Sequence, residues 1–243
     1  DYEDMERKLR EEKIHAAVFC SPHNPTGRVW EREELEKMMA LFEKYEVQIV
    51  SDEIWSDIIM PGFHHIPTQS VSDYAKMHTI ALYAPSKTFN LAGLVGAYHI
   101  CYNKTLQDRM EKETSLSHYN SINVLSMHAL IGAYSEEGKL WLKELLSVLS
   151  ENRDFACAFI EENLPGISVM KSQGTYMLFL DCGKYLESHK LSLEELEKRC
   201  WEVGVAVQDG KMFHGMTHLR MNLALPKSRV EEAFRRLKEY VFV

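Results

Sequence analysis

Short apolar runs alternate with helical stripes over the first two-fifths of the chain. His15–Ser21 (HAAVFCS) is a continuous apolar run of strand length, the pattern of a strand buried on both faces. Glu31–Tyr45 places Leu35, Met38, Met39 and Phe42 at spacings of three and four. That is one apolar stripe on a helix, and its glutamates crowd the first turn, where the helix dipole favours them. Val47–Glu53, His78–Ala84 and Leu94–Tyr102 read as three further strands. Strand, helix, strand with short connections implies a parallel α/β sheet.

From about Lys104 the pattern changes. KTLQDRMEKET and the mostly apolar SINVLSMHALIGAY read as helices, and a long helix from about Lys139 to Asn163 stops at Leu-Pro-Gly. ISVMKSQGTYMLFLDC reads as two strands broken near Gly174. SLEELEKRCWEVG opens with Ser192 and carries Glu195 three residues on, a capping box, and it stops at Gly204. Strands VAVQD and HLRMNLAL and a helix over Ser228–Phe242 close the chain. The expected organisation is a large α/β domain over 1–130 and a small α+β domain over 131–243, with the boundary in 125–140.

Composition narrows the classes. The 243 residues are 45% hydrophobic and 26% charged, with a net charge of −8, enough for one large domain or two modest ones. The acidic balance and the absence of a basic stripe argue against nucleic acid as a partner. No run of 18 apolar residues predicts a membrane span. DYEDMERKLREEK shows no secretory h-region. The five cysteines are widely spaced without a CxxC, which reads as a reduced, cytoplasmic protein with structural thiols. His64–His65 and HGMTH lack a third ligand at zinc spacing, so no metal site is expected.

The chemistry sits at strand ends. In open α/β sheets, ligands bind outside the carboxyl ends of the strands. The first three strands run into SPHNPTG, SDE and APSKTFN, and so bring Asn24, Asp52 and Lys87 to one edge. They offer an amide, a carboxylate and an amine nucleophile. Singly, each has a plain structural reading: Asn24 shapes a turn, Asp52 caps a helix starting near Glu53, and Lys87 is a surface lysine. Jointly, their order and spacing favour a site.

NPTG, then SDE 28 residues after Asn24, then SKTFN 35 residues after Asp52, with a late LRMNLA, resembles the fold-type I pyridoxal-phosphate (PLP) enzymes. PHNPTGRVW, SDEIWSDI, HIPTQS and APSKTFNLAGL are most similar to the MalY/PatB-type cystathionine β-lyases of the class I/II aminotransferase superfamily. The resemblance runs from Asp1 to the final helix. It implies a PLP-transferase-like large domain, mostly parallel and incomplete at its N-terminus, followed by the small domain.

The resemblance also assigns roles. Lys87 would anchor PLP covalently and later act as a base. Asp52 would pair with the pyridine nitrogen and Asn24 with the phenolic oxygen. Arg220 would clamp the substrate α-carboxylate, with Asn24 close by; a strand-end arginine in a surface ion pair is its plain alternative. Tyr119 and Asn120 would lie toward a neighbouring subunit. Gly174 and Tyr176 resemble a strand near the substrate. The implied assembly is a homodimer and the implied substrate a small amino acid.

Several positions depart from the family pattern. Trp55 stands where many members have a tyrosine, Ala84 where many have a phosphate-binding serine, and Val95 where aspartate-type transaminases have an arginine. Ser86 is the candidate substitute for the phosphate. The family's N-terminal half, with its glycine-rich phosphate loop, has no counterpart in these residues, so the chain reads as a C-terminal portion and is expected, alone, to bind PLP poorly. The expected activity is β-elimination on cystathionine or a related cysteine S-conjugate, giving pyruvate, ammonia and a thiol. The alternatives are amino-acid transamination and a non-catalytic fragment.

Overall fold

The computed structural model describes residues 1–114 and 122–243. The chain divides into two compact units. The first holds Asp1–Pro22, Val29–Ile59 and His64–Leu142; the second holds His23–Arg28, Met60–Phe63 and Lys143–Val243.

The first unit contains α1 (Tyr2–Glu11), β1 (Ala16–Cys20), α2 (Arg32–Lys44), β2 (Gln48–Asp52), α3 (Asp73–His78), β3 (Thr79–Tyr83), β4 (Tyr98–Ile100), α4 (Lys104–Thr114) and α5 (Val124–Ala133). The sheet order is β1-β2-β3-β4. β1 pairs with β2, and β2 with β3, in parallel. The expected fourth strand shrinks to three residues and runs antiparallel. A parallel return needs a crossover, usually a helix. The connection after β3 contains only a 3₁₀ turn, Ala92–Leu94, so the chain doubles back on the same side.

Leu9, Met39, Phe42, Val47, Ile49 and Ala75 form this unit's buried cluster. α2 buries Leu35, Met39 and Phe42, the stripe that its sequence shows. Each such side chain contributes roughly 1.5–3 kcal/mol. α1 and α3 were not legible as helices. Both are short and polar, and side-chain caps start them: Asp1 accepts from the Asp4 N–H and Ser72 from the Ala75 N–H. The opposite side of the sheet is thinly covered, with Val18 on β1 79% exposed.

The second unit carries most of α6 (Glu136–Asn163), then β5 (Ser168–Val169), β6 (Met177–Asp181), α7 (Gly183–His189), α8 (Leu193–Glu202), β7 (Gln208–Asp209), β8 (His218–Asn222) and α9 (Lys227–Arg236). The four strands form an antiparallel sheet in the order β5-β6-β8-β7. Its core is contiguous, from Ala156 and Ile160 on α6 through Leu178, Leu180 and Leu219 to Phe234 and Val241. The Ser192–Glu195 capping box opens α8 as expected. β8 stops three residues short of its apolar run because Asn222 Oδ1 accepts from the Ala224 N–H at 2.7 Å, which turns the backbone.

Candidate active site

Three strand ends of the first unit lie at one edge. Cys20 and Leu82 both flank Asp52 in register. The Ser21 N–H donates to Asp52 O at 3.0 Å, and the Glu53 N–H to Leu82 O at 3.0 Å. Asp52 does not cap a helix. Its Oδ1 accepts from the Ile54 N–H at 3.1 Å and holds a turn. Its carboxylate is half-buried and has no ion pair among the described residues. Trp55, in the same turn, is buried.

Lys87 lies in the loop after β3. The Phe89 N–H donates to Pro85 O at 2.9 Å, and the Leu91 N–H to Ser86 O at 3.0 Å. Buried Thr88 donates its hydroxyl to Asp57 Oδ2 at 3.0 Å, where the Tyr134 hydroxyl also donates at 3.3 Å. Phe89 packs its ring 5.5 Å from Tyr134 and 5.6 Å from Trp141. The loop is therefore held on both sides of Lys87. The Lys87 side chain itself is half-buried, and among the described residues its ammonium has no hydrogen bond or ion pair. Ser86 is half-buried beside it. An acid and an amine thus stand on neighbouring strand ends without pairing with each other.

One ionisable residue of this edge went unread. Glu53 is fully buried. Its Oε1 accepts from Ser51 Oγ at 3.0 Å and from the Thr68 N–H at 3.0 Å. Its Oε2 accepts from His65 Nε2 at 2.7 Å and from the Tyr83 hydroxyl at 2.8 Å. Burial alone would raise its pKa, but these donors outweigh it and hold the carboxyl below the usual glutamate range. Burial, followed by the charge of Glu53, pushes the Tyr83 phenol up. A signal existed: Ile49, Ser51 and Glu53 alternate onto the buried face of β2. His65 is thereby a partner of Glu53. Among the described residues, no cluster of three or more His, Cys, Asp or Glu could hold a metal.

Asn24 and Arg220 fall in the second unit. The Asn24 loop closes through the His23 N–H to Arg28 O (2.8 Å) and the Gly27 N–H to His23 O (2.7 Å). Gly27 has φ +71°, and a Cβ there would lie 2.4 Å from Ser172 Cβ and 2.6 Å from Gly174 O. Only glycine fits this approach. The Gly174 N–H donates to Gly27 O at 2.9 Å, so Gly174 serves the loop. Arg220 lies on β8, opposite Phe179 and Gln208, and Arg220 Nη1 donates to Asn24 Oδ1 at 3.3 Å. Among the described residues no carboxylate pairs with Arg220. The Phe213 ring centroid lies 5.0 Å from its Cζ. Burial raises the Tyr176 pKa, and the Arg220 charge pulls the other way. Tyr119 and Asn120 lie outside the described residues.

The sequence matches the family model for aminotransferase class I and II over residues 1–237. The chain belongs to the class I and II aminotransferase family. This family member is 33% identical to cystathionine beta-lyase PatB of Bacillus subtilis (strain 168) over 241 residues, covering 98% of this chain and 61% of PatB. Among solved structures, cystalysin from Treponema denticola, which contains a pyridoxal 5'-phosphate cofactor, matches with a TM-score of 0.91 and 32% identity over 98% of this chain and 60% of its own. A PLP-bound putative aminotransferase from Clostridium difficile 630 matches with a TM-score of 0.91 and 38% identity over 98% and 60% of the two chains. The chain spans about 60% of the length of these relatives. The expected family and fold class are those found. No helix among the described residues is long and apolar enough to cross a membrane.

Proposed function

We propose that this chain carries the amine, the acid and the carboxylate clamp of a PLP-dependent carbon–sulfur lyase. One observation carries the reading: Lys87, Asp52 and Arg220 are each half-buried and each without a counterion among the described residues. Unpaired, partly desolvated charges are costly, and they concentrate at functional sites. The donor set fits the cofactor: an amine for its aldehyde carbon, a carboxylate for its ring nitrogen, an amide for its phenolic oxygen. When bound, PLP supplies an electron sink for negative charge at a substrate α-carbon.

The residues divide the work. Lys87 Nζ would anchor the cofactor and, as a free amine, would take the proton from the substrate Cα. Asp52 would pair with the ring nitrogen and favour its protonated form, through the oxygen that the Ile54 N–H does not engage. Asn24 spends Oδ1 on Arg220, which leaves its amide N–H groups for the phenolic oxygen. Ser86 serves the phosphate, and buried Trp55 shapes the wall behind Asp52. Arg220 offers two parallel N–H groups to the substrate carboxylate, a fork that lysine lacks. With that proton removed, the overall β-elimination would give a thiol, pyruvate and ammonia.

We read the substrate as cystathionine or another cysteine S-conjugate, because PatB, 33% identical, is named a cystathionine beta-lyase. A small amino acid is the partner, the full-length protein is a homodimer, and the free cysteines suit the cytoplasm. Amino-acid transamination is the second reading, favoured by the 38% identity to a putative aminotransferase. Full-length protein given L-cystathionine is expected to release pyruvate with no keto-acid present. Strict dependence on a keto-acid acceptor would replace the lyase reading with the transaminase one.

A further inference from the structure

The connection between β7 and β8 is built around one ring. Lys211–Phe213 forms a 3₁₀ turn in which Met212 is 79% exposed and Phe213 is half-buried, and His214, which follows the turn, is exposed. The turn is pinned at its base. The Lys211 N–H donates to Asp209 Oδ1 at 3.0 Å. The Gly210 N–H donates to His218 O at 2.8 Å, and the Phe213 and Gly215 N–H groups both donate to Gly210 O at 2.9 Å.

The two glycines let the turn lie flat on Phe179. A Cβ on Gly215 would come within 2.3 Å of Phe179 Cζ, and one on Gly210 within 2.9 Å of Phe179 Cε2. Phe179 is stacked on His218 at 4.5 Å and meets Phe213 edge-on, at 6.4 Å and 87°. Phe179, Arg220 and Gln208 are cross-strand partners and so share one face of the sheet. Phe213 closes over that face, with its centroid 5.0 Å from Arg220 Cζ.

We propose that Phe213 is a positioning residue that fixes the plane of the Arg220 guanidinium for a substrate carboxylate. This rests on reading Arg220 as the carboxylate clamp. An arginine side chain has large rotamer freedom, and the single bond to Asn24, at 3.3 Å, restrains only one nitrogen. With its centroid 5.0 Å from Arg220 Cζ, the ring limits the remaining rotation, because a weakly hydrated cation is attracted to an aromatic face. A contact with the ring face uses no N–H hydrogen bond. It leaves the in-plane donors for a planar, bidentate acceptor. The long hydrogen-bonded turn and the two glycines are then the means of delivering one ring to one cation.

The test compares an acid with its neutral analogue in the full-length holoenzyme. The readout is the ratio of kcat/KM for S-ethyl-L-cysteine over S-ethyl-L-cysteinamide. Arg220→Lys is expected to collapse the ratio. Phe213→Leu is expected to lower it about tenfold, through KM for the acid rather than kcat. Phe213→Tyr, which keeps the ring, is expected to restore it. If Arg220→Lys leaves the ratio intact, the clamp reading fails and takes the proposal with it. If Arg220→Lys collapses the ratio while Phe213→Leu stays within about twofold of wild type, the clamp stands and the role of Phe213 is overturned. Should Phe213→Leu lose its thermal transition, Phe213→Met is read by the same ratio and the same criterion.

Discussion

The two units hold the side chains proposed for the site by different means. In the second unit Arg220 lies on a sheet backed by a core of 22 buried residues. In the first unit the buried cluster has six among the described residues, and apolar side chains such as Val18, Leu125 and Ile131 are 79%, 71% and 64% exposed. There the edge bearing Asp52 and Lys87 is tied by polar groups: Glu53 with its four donors, and Asp57 with Thr88 and Tyr134. Apolar packing is non-directional and fixes a whole layer. Hydrogen bonds to a buried charge are directional and fix a point. A site that must hold an acid and an amine apart at two strand ends gains more from the second.

The comparison can be broken by substitution, and the largest effect is expected in the apolar core. Phe234→Ala removes a fully buried ring that meets Phe155 and Phe159. It should lower the stability of the second unit by about 3–5 kcal/mol, read as a shift in the urea midpoint. A loss below 1 kcal/mol would mean that the core is not what holds the β8 side.

Glu53→Gln should cost the first unit about 2–4 kcal/mol. An amide nitrogen in place of one oxygen cannot accept, so two of the four donors lose their partner. The pH dependence has a sign. The folded carboxyl titrates below its ordinary range, so its contribution is complete above the unfolded value, near pH 4.3. It is lost as pH falls through the lower folded value. Wild-type denaturant midpoints should therefore fall on acidification below about pH 4, and the fall should be shallower in Glu53→Gln. Parallel curves would remove Glu53 from the account. At the small end, Val18→Thr on the bare face should change stability by less than about 0.5 kcal/mol. A loss of 2 kcal/mol would show that this face is covered.

Much of this was legible where the pattern was strong. β1, β2 and β3 read as apolar runs, α2 as a stripe and α8 from its capping box, because each obeys a local rule. Asn24, Asp52 and Lys87 were singled out because ligand chemistry gathers where parallel strands end; Asp52 and Lys87 follow neighbouring strands of the first unit, whereas Asn24 groups with the second. α1 and α3 were missed because capping rather than apolar period starts them. The reversal of β4 was missed because the missing crossover helix, not the strand itself, decides direction. Thr88 pairs with Asp57 31 residues away, and Glu53 with Thr68 and Tyr83 15 and 30 residues away, which no local spacing displays. The grouping of residues 23–28 with the second unit follows from Gly27 meeting Ser172 and Gly174, a contact that the single letter G does not announce.

The central claim is that Lys87 is the amine this fold holds unpaired for the cofactor. Borohydride reduction of the full-length protein loaded with PLP fixes the cofactor to whichever lysine bears it, and peptide mass mapping locates the label. The account predicts the added mass on the peptide containing Ser86–Lys87–Thr88, and its loss in Lys87→Ala. Label on another lysine, or label that survives Lys87→Ala, would contradict it.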